Sequence, residues 1–353
     1  MQYDITEKNV KLIGRTCMEG GICWFGHAGS GIAFRLTGTK VRMVIAGDDT
    51  TQGNETEGKA RIGICVNGKR MIDMMIEQPE QTVTVLESDV AQEITVQVIK
   101  LSECAMSVAG IKCIEAEVTD GLWPVPEKER RIEFIGDSIT CGFGVDLEDP
   151  DTAFQTGTED VTKAYAYQTA EILDADYSMV SFSGYGVWSG YTDTGERQEE
   201  QLVPRYYEKV GFSYGKPFGT VQLQEIPWEF SKYRPQLVVV NLGTNDDSYC
   251  KDEAERRQQF SEKYVEFLKQ IHKNNPQAVI LCIAGLMGTR IYSAISGAVD
   301  YYKQTEASGE IFAMMLEEQL PEDGRVSSGH PTEISHEKAA IKTANKIREI
   351  MNW

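Results

Sequence analysis

The chain changes its hydrophobic rhythm once. Across its first third, apolar and polar positions alternate with a period of two in short runs, and no stretch repeats at the helical period. Residues 31–36 and 41–45 read as strands broken at Thr37-Gly38-Thr39. Residues 61–66 and 69–76 flank Asn67-Gly68, a strong hairpin signal because a type I′ turn needs positive φ at both central positions. Runs rich in Val, Ile and Thr follow at 81–86, 93–101 and 110–118. Seven or eight short strands without a helix predict an all-β domain over residues 1–120, a β-sandwich of jelly-roll type or a relative of it. Residues 121–130 hold two prolines and a charged end and read as a linker. Beyond them strand and helix alternate: strands at 131–135, 177–182, 237–242 and 279–284, helices at 165–173, 254–272 and 337–351. The 254–272 helix carries Phe260, Tyr264, Phe267, Leu268 and Ile271 on one stripe, and the 237–242 strand is apolar throughout, as in buried parallel sheets. Residues 131–353 are therefore expected to form an α/β domain around a parallel sheet.

Composition is that of an ordinary soluble protein, 41% hydrophobic and 25% charged over 353 residues, a length suited to two domains. Charge changes the picture. With 35 Lys and Arg against 54 Asp and Glu, the net charge is −19. Such a surface repels phosphate backbones and anionic headgroups, which argues against nucleic acid and membrane as partners and leaves neutral ligands such as sugars open. No apolar run approaches a membrane span, and the first residues lack a secretion signal's pattern. The eight cysteines are scattered, without a Cys-x-x-Cys pair, and fit free thiols in a reducing compartment. A cytoplasmic protein is expected, with the oligomeric state left open.

Candidate chemistry lies where the predicted strands of the second domain end, since ligands collect at the carboxyl edge of such sheets. The 131–135 strand runs into Gly136-Asp137-Ser138-Ile139-Thr140, the 177–182 strand into Ser183-Gly184-Tyr185-Gly186, and the 237–242 strand into Gly243-Thr244-Asn245-Asp246. Ser138 is a candidate nucleophile, helix N-cap being the competing reading. Asn245 offers a neutral N–H donor suited to an oxyanion, against a turn-forming Asn-Asp pair. Gly184 lets its N–H approach a ligand closely. A serine needs a base, and there are four histidines. His272 and His336 read as solvated helix residues and His27 as part of a Gly-rich loop, whereas His330, on a loop before the last helix, is the best-placed base.

Gly136-Asp137-Ser138, Gly184, Gly243-Thr244-Asn245-Asp246 and His330-Pro331, in this order, resemble the blocks of the SGNH, or GDSL-type, hydrolases. The run from Arg131 to Gly144 behind a β-sandwich is similar to carbohydrate esterase family 2, whose members pair an N-terminal jelly-roll with a C-terminal SGNH domain. The resemblance implies Ser138 as nucleophile and His330 as general acid/base. It also implies an oxyanion hole built from the Ser138 and Gly184 N–H groups and the Asn245 side chain, with no metal or organic cofactor. It implies removal of acetyl groups from acetylated hemicellulose oligosaccharides, with mannan or glucomannan expected ahead of xylan because primary 6-O acetyl groups suit hexoses. Where many SGNH enzymes carry an Asp three residues before the His, this chain has Ser327. A Ser–His dyad oriented by a main-chain carbonyl is expected, with Asp323 a candidate third member. Trp188 is a candidate floor for the sugar pocket, with a core or domain-interface tryptophan as the competing reading, and Tyr185 a candidate for its mouth. Trp123 and Trp228 read as interface and core packing. The rival functions are a broader SGNH lipase or thioesterase, and a carbohydrate-binding protein with a decayed site.

Overall fold

The computed structural model describes residues 1–53, 58–147, 149–216, 222–306 and 309–353, which group into two compact units. The first comprises Met1–Glu127, Phe154–Glu159 and Lys209–Trp228, the second Lys128–Ala153, Asp160–Glu208 and Glu229–Trp353.

The first unit holds strands β1 (Gln2–Tyr3), β2 (Lys11–Ile13), β3 (Thr16–Glu19), β4 (Ile22–Phe25), β5 (Gly31–Gly47), β6 (Arg61–Val66), β7 (Lys69–Met75), β8 (Glu80–Lys100) and β9 (Ala109–Pro124). They form one antiparallel sheet in the order β3-β4-β9-β5-β8-β6-β7, with β1 on β9 and β2 on β5. Among the described residues nine strands form where seven or eight were expected, and some of the expected short runs merge into longer strands. The expected break at Thr37-Gly38-Thr39 is a bulge within β5, where the register with β8 shifts between Gly38 and Lys40. One inserted residue flips every later side chain to the other face. Thus Ile32, Phe34 and Leu36 are buried before the bulge, and Val41, Met43 and Ile45 after it, all in one core cluster. Gly38 is required there, because a Cβ would lie 2.2 Å from the Glu117 carbonyl oxygen. The runs 81–86 and 93–101 likewise merge into β8. The β6–β7 hairpin closes at Asn67 and Gly68 with φ of 51° and 78°, the left-handed pair that its sequence predicts.

Residues 154–159 are held in this unit by main-chain and carboxylate bonds. The Glu103 N–H donates to Glu159 Oε2 at 2.6 Å, Arg61 to the Glu159 carbonyl at 3.1 Å, and Thr156 Oγ1 to the Lys59 carbonyl at 2.7 Å. Of the 121–130 stretch read as a linker, Gly121–Pro124 ends β9 and Arg130 begins the next strand, so only 125–129 lies outside strands. Trp123, expected in packing, is half exposed, whereas Trp228 is buried with the Arg15 guanidinium over its ring.

The second unit holds β10 (Arg130–Gly136), β11 (Ala175–Ser181), β12 (Leu237–Asn241), β13 (Val279–Leu286) and β14 (Ile311–Glu318) in a parallel sheet of order β11-β10-β12-β13-β14. Its helices are α1 (Ser138–Cys141), α2 (Tyr165–Ile172), α3 (Val203–Tyr206), α4 (Thr244–Cys250), α5 (Ala254–Asn274), α6 (Tyr292–Thr305) and α7 (Glu333–Met351). From β10 the chain crosses to β11 on one side and later returns to β12 on the other. Parallel crossovers are right-handed as a rule, which puts the helices before and after the reversal on opposite faces, and α2 packs with α7 while α5 packs with α6. The reversal beside β10 is a topological switch point, where the carboxyl edge opens a crevice. The sequence reading missed α6, whose apolar stripe is interrupted by Ser and Gly, and β14, a half-exposed edge strand. Helix α7 starts at Glu333, earlier than read, behind a Thr332 cap. Its His336, expected at the surface, is buried: Nδ1 accepts the Tyr165 N–H at 3.2 Å. Burial and the nearby His330 push its pKa down to about 3. No helix among the described residues is long and apolar enough to cross a membrane.

Candidate active site

Sheet register assembles the site before any side chain is considered. Gly136 at the end of β10 pairs with Ser181 of β11 and with Asn241 of β12. Ser138, Gly184 and Asn245 follow these aligned ends by a few residues each, so all three arrive at one edge of the sheet. Asp137 caps α1 by accepting the Ile139 N–H at 3.0 Å, and Gly142 ends the helix at φ +81°. Ser138 is therefore the first helical residue, and its N–H is among those a helix start leaves unbonded.

Gly184 occupies the third position of a turn closed by the Tyr185 N–H on the Phe182 carbonyl at 3.3 Å. Its φ is +80°, which a glycine adopts without strain, and a Cβ there would meet nothing within 4 Å. The closing bond does not use the Gly184 N–H, which is left for a ligand. Asn245, in the first turn of α4, donates through Nδ2 to the Tyr185 carbonyl at 2.9 Å and to Asp137 Oδ2 at 3.3 Å. The first bond anchors the amide. The second bond is the longer one.

His330 completes the group. Its Nε2 lies 2.8 Å from Ser138 Oγ, and its Nδ1 lies 3.0 Å from the Ser327 main-chain oxygen. A carbonyl can only accept, so Nδ1 carries the proton and Nε2 presents its lone pair to the serine. The loop is shaped by left-handed Ser328 and Gly329, with φ of 54° and 77°. Gln319 Nε2 donates to the Gly329 carbonyl at 2.7 Å. The Phe143 ring stacks on the imidazole at 4.3 Å. Burial pushes the His330 pKa down to about 4, opposed by the bond to Ser327.

The other expected residues lie elsewhere. Asp323 bonds Lys338 Nζ at 2.6 Å and its carbonyl accepts from Thr332, so it does not orient His330. Tyr185 is 2% exposed, its ring packed against Phe182 and Tyr206, and it contributes a carbonyl rather than a pocket mouth. Trp188 is 6% exposed, between the edge of Tyr249 at 5.1 Å and the Arg197 guanidinium at 5.2 Å, so no open face floors a pocket. The open aromatic is Tyr191, 58% exposed, whose N–H donates to the Gly184 carbonyl at 2.8 Å. The sequence reading passed over Tyr191, Phe143 and Asp246. Tyr191 lies in a polar loop, Phe143 is far from His330 in the chain, and Asp246 was absorbed into a turn pair. Among the described residues no group of His, Cys, Asp and Glu forms a metal set, and none of the eight cysteines is in a disulfide.

The arrangement is a serine hydroxyl against an imidazole base, with N–H donors on adjacent strand ends. Comparisons with known proteins identify the family. The profile described as the GDSL-like lipase/acylhydrolase family matches residues 134–324, and the carbohydrate esterase 2 N-terminal profile matches 12–126. A cellulase/esterase of Acetivibrio thermocellus is 32% identical over 231 residues, 64% of this chain, which spans only 26% of that protein. An acetylxylan esterase / glucomannan deacetylase of Cellvibrio japonicus is 25% identical over 99% of this chain and 90% of its own. In fold, the chain resembles an acetyl xylan esterase from the rumen bacterium Butyrivibrio proteoclasticus, with TM-score 0.88, 22% identity and coverage of 100% and 99%. A family two carbohydrate esterase of Clostridium thermocellum in complex with cellohexaose follows with TM-score 0.82, 24% identity and coverage of 98% and 99%. The chain belongs to the GDSL-like lipase/acylhydrolases and, within them, to carbohydrate esterase family 2, a family of carboxylic ester hydrolases.

Proposed function

We propose that this chain is an O-acetyl esterase of acetylated hemicellulose oligosaccharides, working through a Ser138–His330 dyad. The observation that carries the reading is the 2.8 Å contact between Ser138 Oγ and His330 Nε2 at the switch point of the sheet. Ser138 Oγ attacks the acetyl carbonyl carbon while His330 Nε2 takes the serine proton. The oxygen of the tetrahedral intermediate gathers its negative charge among the Ser138 and Gly184 N–H groups and the Asn245 amide. Collapse expels the sugar hydroxyl, which takes the proton back from His330 and leaves acetyl-Ser138. Water, deprotonated by His330, then attacks the acetyl group, and acetate departs as the serine regains its proton.

The names of the relatives support a xylan or glucomannan backbone. A preference for mannan rests on the primary 6-O position of hexoses, and a cytoplasmic setting on eight cysteines without a disulfide. Tyr191 takes the place of Trp188 and Tyr185 as the aromatic against the sugar. The test is incubation of the native chain and Ser138→Ala with acetylated manno- and xylo-oligosaccharides, following acetyl loss by mass spectrometry. Acetyl loss by the native chain alone supports the reading, and the faster sugar names the backbone. Equal cleavage of acetyl and octanoyl 4-nitrophenyl esters, with both sugars untouched, moves the chain to the lipase or thioesterase reading. An intact Ser138–His330 contact argues against a carbohydrate-binding protein with a decayed site.

A further inference from the structure

We infer that Asp246 is a positioning residue for the oxyanion site, its buried carboxylate setting the height at which Gly184 meets the substrate. The role rests on the reading of Gly184 and Asn245 as oxyanion donors and goes beyond it by naming what holds the Gly184 turn in place.

Asp246 is fully buried in the first turn of α4. Its carboxylate accepts three consecutive main-chain N–H groups: Val187 at 3.0 Å, Trp188 at 2.7 Å and Ser189 at 2.9 Å. Successive N–H groups converging on one anion form a concave nest, here closed around a side chain of the protein itself. The neighbouring Asp247 has a different task, an ion pair with Arg290 at 2.8 Å. Asn245 adds the bond to the Tyr185 carbonyl, so two adjacent residues of α4 grip the loop on either side of Gly186.

Gly186 shows that the loop is shaped to the carboxylate. A Cβ there would lie 2.6 Å from Asp246 Oδ2 and 2.0 Å from the Ser189 carbonyl oxygen. Gly184, by contrast, has nothing within 4 Å of where its Cβ would be, so no packing holds it sideways. Apart from the Tyr191 N–H on its carbonyl at 2.8 Å, its position is set from its two ends. One end is β11, whose Ser181 is in register with Gly136, two residues before Ser138. The other end is the 187–189 segment clamped on Asp246. Releasing that clamp leaves the nucleophile, the base and the Asn245 amide in the chain and loosens one oxyanion donor. An oxyanion donor acts on the transition state rather than on the bound ester, so the loss falls on kcat.

The test uses the full chain with 4-nitrophenyl acetate, comparing native protein, Ser138→Ala and Asp246→Asn. Asp246→Asn is nearly isosteric but removes the charge on which the three N–H groups converge and turns an amide N–H₂ towards the Val187 N–H. Expected is a kcat lower by about 10- to 100-fold with KM within about twofold, in a variant whose circular dichroism matches the native chain. A folded Asp246→Asn with native kcat, or one changed only in KM, overturns the role. Cleavage retained by Ser138→Ala overturns the esterase reading instead. Amide hydrogen exchange on the native chain decides the matter if Asp246→Asn does not fold. Strong protection of Val187, Trp188 and Ser189, which lie outside any helix or strand, supports the clamp, and exchange at the rate of an open loop overturns it.

Discussion

The Nδ1 atom of His330 lies 3.0 Å from the main-chain oxygen of Ser327, while the Asp323 carboxylate, the acid expected nearest in the chain, is bonded to Lys338. A carbonyl fixes the same tautomer that a carboxylate would, but as a dipole it stabilises the imidazolium less than a full charge does. Orientation of the base here is therefore a property of the loop's backbone, which makes the residues that shape the loop more important than any acid.

Asp323→Asn follows directly. The change removes a charge paired with a half-exposed lysine and touches nothing at His330. Turnover of 4-nitrophenyl acetate is expected within about twofold of native, with about 1 kcal/mol or less of stability lost. A tenfold fall in kcat would show that Asp323 reaches His330 in the working enzyme.

Gln319→Ala acts on the loop itself by removing the 2.7 Å bond to the Gly329 carbonyl. A net loss of about 1 kcal/mol is expected from one such bond. The left-handed turn at Ser328 and Gly329 then relaxes, and the imidazole loses its alignment on Ser138. Steady-state kinetics should show kcat reduced several-fold or more, with KM little changed. An unchanged kcat would mean that the turn holds itself.

The pH profile carries the sign of burial. Removal from water disfavours the charged imidazole, which pushes His330 down to about 4, and the base is neutral above that value. The acid limb of kcat/KM is expected near pH 4 rather than near the free imidazole's value of about 6.5. Asp246, which burial pushes up to about 6, adds a limb there only if its protonation loosens the clamp. That limb would be absent in Asp246→Asn. Asp137, which burial pushes up to about 7, can add a limb of its own near neutrality, so it is the absence of any limb near pH 4 that would overturn the buried, neutral His330.

Two aromatic substitutions should separate packing from binding. Trp188→Ala removes a buried ring and is expected to cost about 3–5 kcal/mol, read as a lower Tm. Tyr191→Ala removes an exposed ring and leaves Tm nearly unchanged. It should raise KM for an acetylated oligosaccharide while leaving cleavage of 4-nitrophenyl acetate intact. Equal effects on both substrates would remove Tyr191 from the sugar site.

In the first unit, Gly38→Ala drives a methyl group to 2.2 Å from the Glu117 carbonyl oxygen at the β5 bulge. Overpacking of this kind costs about 1–3 kcal/mol, measured by chemical denaturation. Native stability would mean that β5 tolerates a different register.

By itself the sequence determined the two fold classes, the strands that lead to Ser138, Gly184 and Asn245, and His330 as the histidine that comes to lie beside Ser138. These rest on local signals: period-two and continuous apolar runs, an Asn-Gly turn, and polar residues just past strand ends. Tertiary structure decided everything that depends on residues far apart in the chain. The break at Gly38 became a bulge because Glu117 of β9 passes beside it, a pairing no local window contains. Trp188 and Tyr185 turned inward because Tyr249, Arg197, Phe182 and Tyr206 surround them, and Tyr191 turned outward from the same loop. His336 is buried because α7 lays that face on Tyr165. The partner of His330 is a carbonyl, and since every residue has one, only the turn at Ser328 and Gly329 selects which carbonyl it is. Composition and spacing report what side chains can do, while the register of β10, β11 and β12 sets which of them meet.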